Sequence, residues 1–162
     1  MTSVLRRACS ADLNELYRLE VSCFDDDRFN RRQLTHLVRR AHAVTWLASN
    51  EAGHALGYAI VLFRRNSRIA RLYSLCVHPA VRGEGIGRRL IESVESEVMR
   101  RQRHYLTLEV RADNRIALSL YRRMGYRLCR WLDDYYADGC AAWQMEKRLG
   151  QASARDAIES TA

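Results

Sequence analysis

The chain has 162 residues, 48% of them hydrophobic, with a single proline and a formal net charge of +8 at pH 7. That length suits one domain with a sizeable core, and the apolar fraction excludes a disordered chain. The opening MTSVLRRACSADL lacks the apolar stretch of a signal peptide and no apolar run approaches a membrane span, so a cytoplasmic protein is expected.

Val4 to Ala8 reads as a first strand. Ser10 offers an N-cap, and Leu13, Leu16, Tyr17 and Leu19 follow at helical spacing towards Phe24. Asp25-Asp26-Asp27 breaks that helix. The next helix has Leu34, Leu37, Val38 and Ala41 on one face and Arg31-Arg32 and Arg39-Arg40 largely on the other. Val44 to Ser49 and Leu56 to Phe63 read as strands around a hairpin turn at Asn50-Glu51-Ala52-Gly53. Leu72 to Val77 reads as a strand buried on both faces, ended by His78-Pro79. A helix with Ile86, Leu90, Val94 and Val98 inward runs to about Arg101. Tyr105 to Val110 alternates, with Leu106, Leu108 and Val110 on one face and Tyr105, Thr107 and Glu109 on the other. Asp113 or Asn114 caps a short helix with Ile116, Leu120 and Met124 inward, and Gly125 ends it. Tyr126 to Trp131 and Ala142 to Lys147 make the last strands, and Gly150 to Ala162 is a mobile tail or a loose terminal helix. The order β-α-α-β-β-β-α-β-α-β-β implies a single α/β domain over residues 1–149. Its sheet should be mixed and mostly antiparallel, of about seven strands, with helices on both faces.

The five cysteines are scattered, with no Cys-x-x-Cys pair, and no two histidines share a ligand-like spacing, so reduced thiols and no metal are expected. Lys147 is the only lysine; the arginines come largely in pairs, from Arg6-Arg7 to Arg122-Arg123. They decorate solvated faces or attract a polyanion, either a cofactor's phosphates or RNA, though no nucleic-acid-binding motif accompanies them.

Chemistry concentrates between Leu75 and Arg88. A strand ends at Leu75-Cys76-Val77, and Arg82-Gly83-Glu84-Gly85-Ile86-Gly87-Arg88 leads into a helix. Glycines at a helix start leave backbone N–H groups bare beside the helix's partial positive charge, which suits phosphate. A Walker loop needs Lys-Ser or Lys-Thr after its last glycine, and a dinucleotide fingerprint needs Gly or Ala where Arg88 stands. The spelling Arg82-x-x-Gly85-x-Gly87 instead resembles the pyrophosphate loop of the GNAT N-acetyltransferases. That resemblance covers Val4 to about Leu149 and implies the GNAT fold, with acetyl-coenzyme A as cofactor. It implies that Leu75, Cys76 and Val77 bind pantetheine through backbone groups, so Cys76 is a small buried residue rather than a nucleophile.

The segment Leu108-Glu109-Val110-Arg111, Asn114, Ala117, Leu120-Tyr121, Gly125-Tyr126 resembles most closely the ribosomal-protein-alanine N-terminal acetyltransferase branch, the RimI-like enzymes. By that resemblance Glu109 is the general base and Tyr121 the general acid, and the acceptor is an amine at a protein or peptide N-terminus. Read without it, Glu109 serves equally as a solvated charge or an arginine's partner, and Tyr121 as a core residue. Asn114 and Tyr121 lie two turns apart on one helix face, about 10 Å along the axis, so a pantetheine arm can touch both. Asn114 also suits a simple N-cap. The branch's Pro-Trp-Ser after the first helix is replaced here by Cys23-Phe24-Asp25-Asp26-Asp27-Arg28-Phe29. Near the end Tyr135-Tyr136 and Gly139 remain, while flanking arginines and a Glu-Asp pair do not. Asp133, Asp134, Tyr135 and Tyr136 are the candidate acceptor-binding residues. With Asp138 and Asp25 to Asp27 they form either two solvated turns or a negative mouth for a cationic acceptor. Other readings remain open: a small cationic amine or a lysine as acceptor, a non-catalytic acyl-coenzyme A-binding domain, or an RNA-associated role.

Overall fold

A computed structural model describes residues 3–24, 28–40 and 42–150. The strands are β1 (Val4–Arg7), β2 (Ala43–Ser49), β3 (Ala55–Phe63), β4 (Ile69–Val77), β5 (Tyr105–Arg111), β6 (Arg127–Leu132) and β7 (Ala142–Arg148). The helices are α1 (Leu13–Cys23), α2 (Arg31–Arg39), α3 (Ile86–Arg100) and α4 (Arg115–Arg123). The strands form one sheet in the order β1-β2-β3-β4-β5-β7-β6. Every pairing is antiparallel except β4 with β5, the pair joined through the crossover helix α3.

The sheet separates two apolar layers. On one face Leu16 and Leu19 of α1 and Leu34 and Leu37 of α2 pack on Leu47, Tyr58, Ile60 and Cys76. On the other, α3 brings Ile86, Leu90, Ile91, Val94 and Val98 onto Val44, Val61, Leu72, Leu106 and Leu108, and Tyr121 of α4 joins them. Leu90, Ile91, Val94 and Val98 are fully buried, each adding about 1.5–3 kcal/mol of apolar transfer. Helices on both faces of a mixed, mostly antiparallel sheet is the architecture the element order implied.

Local signals set the helix ends. Asn30 accepts from the Gln33 N–H at 2.9 Å while the Gln33 side chain accepts from the Asn30 N–H at 2.9 Å, a capping box for α2. Asn114, rather than Asp113, caps α4 by accepting from the Ala117 N–H at 3.1 Å. After α4, Tyr126 N–H bonds the Tyr121 carbonyl and Gly125 N–H the Arg122 carbonyl. Gly125 sits at φ +96°, so this is a Schellman end that needs the glycine.

Three local expectations are corrected. Ser10 does not cap α1: Ser10–Asp12 form a single 3-10 turn, and α1 begins at Leu13. Asp12 is tied instead to Arg6 at 2.7 and 2.9 Å and to the Cys9 N–H at 2.8 Å, and the Arg6 bond holds its carboxyl down at about 2. Ile116 does not face inward but is 85% exposed, because it lies in the first turn of α4 beyond the sheet's edge of the core. β4 is not buried on both faces: Tyr73 is exposed and Ser74, Leu75 and Val77 are only partly buried, since β4 loses its parallel neighbour beyond Leu72. Asp25, Asp26, Asp27, Ala41 and the terminal segment 151–162 lie outside the described residues.

Candidate active site

The site begins with a break in strand pairing. β4 pairs with β5 only from Ile69 opposite Tyr105 to Leu72 opposite Leu108. At that point β4 carries a bulge: β3 Ile60 faces Ser74, but Val61 faces Leu72, so Tyr73 is the extra residue. A bulge bends its strand and sharpens its twist. Beyond it β4 continues against β3 alone, with Gly57, Tyr58 and Ala59 facing Val77, Cys76 and Leu75. The other edge of Leu75-Cys76-Val77 pairs with no described strand. This unpaired edge is a template for an extended, amide-bearing chain such as pantetheine.

Gly57 holds that edge in place. A Cβ there would lie 2.7 Å from the Cys76 carbonyl oxygen and 3.2 Å from Leu90. Only a glycine lets β3 pass between β4 and α3 at this point.

The same strand runs into the glycine loop. Gly83 and Gly85 adopt φ +85° and +83°, and Gly85 is the N-cap of α3, its carbonyl accepting from the Arg89 N–H at 3.1 Å. The N–H groups of the first turn, at Ile86, Gly87 and Arg88, have no partner further back in the helix and carry the positive end of its dipole. A Cβ at Gly87 would meet Val77 and Leu120 at 3.6 and 3.7 Å, so α3, β4 and α4 close together around the loop. Arg82 folds back, its Nε donating to the Val77 carbonyl at 3.3 Å, and Arg88 pairs with Glu92 at 3.1 Å. The Glu84 and Arg88 side chains stand at the surface of this turn. A free strand edge running into a bare helix N-terminus fits a pantetheine diphosphate from end to end.

Cys76 is 3% exposed and its thiol donates to the Leu19 carbonyl at 3.7 Å. The neighbouring Cys23 thiol and burial push its pKa far above the ordinary value, which leaves a protonated, inert thiol.

Glu109 is the first residue of β5 past its pairing with β4, and it points away from Leu108, towards the face that carries α1 and α2. Its Oε2 accepts from Arg71 Nε at 3.0 Å, and its side chain is 12% exposed. Arg71 Nη2 donates to the Tyr135 hydroxyl at 3.1 Å, and the guanidinium lies 5.3 Å from the Tyr73 ring centre. Partial burial opposes the Arg71 charge, and Glu109 outweighs it, so the guanidinium is held more firmly protonated than usual. Tyr73 stacks on Phe29 at 5.5 Å, and the Phe29 N–H donates to Glu20 Oε2 at 2.9 Å. Glu20 is fully buried, its Oε1 has no partner among the described residues, and burial lifts its carboxyl to about 7.

The segment between β6 and β7 closes this wall. Tyr135 and Tyr136 N–H groups both donate to the Cys140 carbonyl, at 3.2 and 3.1 Å, with Gly139 at φ +85° completing the turn. The two rings meet edge to face at 5.0 Å. Arg111 lies 4.9 Å from the Tyr136 ring centre and binds Asp138 at 2.5 Å and Asp113 at 3.2 Å. Asp133 accepts from Trp131 Nε1 at 2.6 Å, and Asp134 takes a left-handed turn conformation at φ +48°. Two of the acidic groups thought to draw a cationic acceptor are therefore already engaged, Asp133 by Trp131 and Asp138 by Arg111.

Tyr121 lies on the opposite layer, 6% exposed, edge to face with Tyr126 at 5.7 Å. Burial, and secondarily the Tyr136 phenol, raise its pKa well above the ordinary value. Its hydroxyl has no hydrogen-bond partner among the described residues. Tyr121 and Glu109 do not touch. Tyr136 stands within electrostatic reach of both, and its own pKa is lifted to about 12, chiefly by burial. The structure thus groups Glu109, Tyr135 and Tyr136 around Arg71 and Arg111, and sets α4, which carries Tyr121 and the capping Asn114, against the glycine loop through Leu120.

Residues 11–126 match the Acetyltransferase (GNAT) family. The chain belongs to that family. GNAT enzymes are N-acetyltransferases that use acetyl-coenzyme A, and the unpaired β4 edge with the α3 N-terminus is where this chain's residues fit it. Over 117 residues the chain is 30% identical to the [ribosomal protein bS18]-alanine N-acetyltransferase of Escherichia coli, covering 62% of this chain and 77% of that one. The solved structure of the E. coli ribosomal-protein-S18-alanine N-acetyltransferase superposes with a TM-score of 0.84 at 22% identity, over 94% of this chain and 97% of that one. The N-alpha-acetyltransferase RimI of Mycobacterium tuberculosis is 33% identical over 116 residues, 67% of this chain and 68% of its own. A Thermoplasma acidophilum N-acetyltransferase solved with coenzyme A has a TM-score of 0.78 at 16% identity, covering 92% of this chain and all of that one. This GNAT chain is thus of the RimI type.

Arg71, Tyr73, Glu20 and Gly57 were not singled out in the sequence. Arg71 and Tyr73 alternate against buried Ala70 and Leu72, a period-two signal that marks their face but not their partners. Among the described residues no three His, Cys, Asp or Glu side chains group to hold a metal, and no helix is long and apolar enough to cross a membrane.

Proposed function

We propose that this GNAT enzyme acetylates the α-amine of a protein or peptide N-terminus by direct attack, with Glu109 as base and Tyr121 as acid. The observation that carries the reading is the position of Glu109, at the first β5 residue beyond the point where β4 leaves the sheet. A carboxylate stands at that opening, Tyr121 lies on the opposite layer of the sheet, and Tyr136 is within electrostatic reach of both. Acetyl-coenzyme A, when bound, supplies an acetyl group activated as a thioester. Leu75, Cys76 and Val77 hold it through their backbone groups. The N–H groups around Gly83, Glu84, Gly85, Ile86, Gly87 and Arg88, with the Arg82 side chain, face its phosphates. Asn114 caps α4 through Oδ1 and keeps its amide N–H donors for the pantetheine side.

An ammonium does not attack a carbonyl, so a proton must first leave it. Glu109, directly or through one water, takes that proton at a carboxylate oxygen. Tyr121 holds its phenolic proton at neutral pH, as any phenol does, and burial holds it more firmly still. The departing thiolate is the base that takes it, a donation of roughly 10²–10⁴ in rate. Tyr135 and Tyr136 line the acceptor side with rigid aromatic surface and hydroxyls suited to peptide backbone. The E. coli relative is named for N-acetylation of an alanine of ribosomal protein bS18 and the M. tuberculosis relative for N-alpha-acetylation, which supports the same acceptor class here. The test is a panel of peptides and small amines incubated with acetyl-coenzyme A and read by mass. Acetylated peptides support the proposal. Turnover of polyamines or aminoglycosides alone overturns the acceptor class, and cofactor binding with no turnover overturns catalysis.

A further inference from the structure

We infer that Arg71 sets the charge preference for the acceptor, so that the enzyme favours peptide N-termini with an acidic first residue and rejects those with a cationic one. The inference rests on the peptide-acceptor reading above and names the substrate class of that same site. Three nitrogens of the guanidinium define it. Nε binds Glu109 at 3.0 Å and Nη2 binds Tyr135 at 3.1 Å, while Nη1 has no partner among the described residues. The Arg71 side chain remains 40% exposed, and Nη1 is the nitrogen it has left to offer a ligand.

Proximity follows from the chemistry. An amine that gives its proton to Glu109 comes within about 3 Å of the carboxylate, or one water further. Arg71 is fixed 3.0 Å from that carboxylate. The first side chain and first carbonyl of the acceptor then lie beside the guanidinium.

The charge balance changes during the reaction. Before it, Glu109 and Arg71 neutralise each other. As the N–H bond breaks and the O–H bond on Glu109 forms, the carboxylate becomes neutral and Arg71 is left uncompensated in a partly buried site. A carboxylate on the acceptor then compensates Arg71 through Nη1, and an ammonium adds a like charge. Two carboxylates of the neighbouring segments are already paired with a cation: Asp138 and Asp113 both bind Arg111. The selection opposes the preference for cationic acceptors that the aspartate-rich segment suggested.

The test uses three peptides that differ only in a first residue of Asp, Ala or Lys. For the unaltered enzyme, kcat/KM for the Asp peptide should exceed that for the Lys peptide about tenfold, the ratio that corresponds to about 1.4 kcal/mol. Arg71→Gln should bring the ratio near unity, and Arg71→Lys should keep most of it. A lower kcat common to all three peptides cancels in the ratio, so loss of Glu109 positioning does not mimic the effect. Binding gives a second readout by calorimetry with coenzyme A present. Glu109→Gln, whose side chain is neutral from the start, should bind the Asp peptide more tightly than the unaltered enzyme does. An unchanged ratio in Arg71→Gln, or a preference for the Lys peptide, overturns the inference. If no peptide is acetylated, the peptide reading falls by itself, and the ratio is taken with aspartate α-amide against 1,5-diaminopentane. A carboxylate preference that disappears in Arg71→Gln then sustains the role of Arg71, and its absence overturns it.

Discussion

Replacing the buried Glu20 by glutamine should make the protein's stability less sensitive to pH, with a sign and size that follow from one side chain. Glu20 is fully buried, and among the described residues the only hydrogen bond its carboxyl makes is from the Phe29 N–H. Burial raises its carboxyl from 4.5 to about 7. The folded state therefore binds a proton that the unfolded state releases first. The stability linked to this group is fully present below about pH 4.5 and is lost as pH rises to about 7. At 1.36 kcal/mol per pH unit the loss approaches about 3 kcal/mol above neutrality, of which about 2.5 falls between pH 5 and pH 8. The glutamine oxygen can still accept from Phe29, but its amide N–H group meets the spot where Oε1 has no partner, at a cost of about 1–3 kcal/mol. That cost is the same at every pH. The measurement is thus the difference between two differences: Tm of Glu20→Gln against the unaltered protein near pH 5 and again near pH 8. The variant should gain about 5–10 °C relative to the unaltered protein between the two conditions. Equal offsets at both pH values would refute the raised carboxyl and the claim that Glu20 anchors the Phe29 segment as a buried acid.

Gly57→Ala forces a Cβ to within 2.7 Å of the Cys76 carbonyl; it should cost about 1–3 kcal/mol in denaturant unfolding and weaken acetyl-coenzyme A binding, because the displaced strand is the edge proposed for the cofactor. Gly85→Val places a β-branched residue at φ +83° and should abolish cofactor binding by calorimetry while the circular dichroism spectrum stays folded. Tyr121→Phe should lower kcat roughly 10²-fold or more with cofactor affinity unchanged. Glu109→Gln should do likewise at neutral pH, with activity returning at high pH as free amine accumulates, and wild-type kcat in either variant refutes that residue's role.

Much of the fold was legible because period and punctuation agreed. Ile86, Leu90, Val94 and Val98 marked α3, Leu106, Leu108 and Val110 marked the inner face of β5, and Gly125 marked the end of α4. The glycine loop was legible because its conformation demands residues without a Cβ at Gly83 and Gly85. The cluster around Glu109 was not, because it is made of register. Nothing local in Arg71, Tyr73, Glu109 and Phe29 says that a bulge at Tyr73 will bring them together. Ile116 failed for a similar reason: it fits the helical period, but the first turn of α4 has nothing to pack against. The aspartates near Tyr135 read as free charge in the sequence, where the partners of Asp133 and Asp138 on Trp131 and Arg111 are invisible.

The central claim is acetyl transfer to an α-amine in the gap between β4 and β5. One peptide carrying both a free N-terminus and an internal lysine, incubated with enzyme and acetyl-coenzyme A and mapped by fragment masses, tests it most directly. The account predicts a single acetyl group on the α-amine, lost when the peptide's N-terminus is blocked. Acetylation of the lysine side chain, or of the blocked peptide at an unreduced rate, would contradict it.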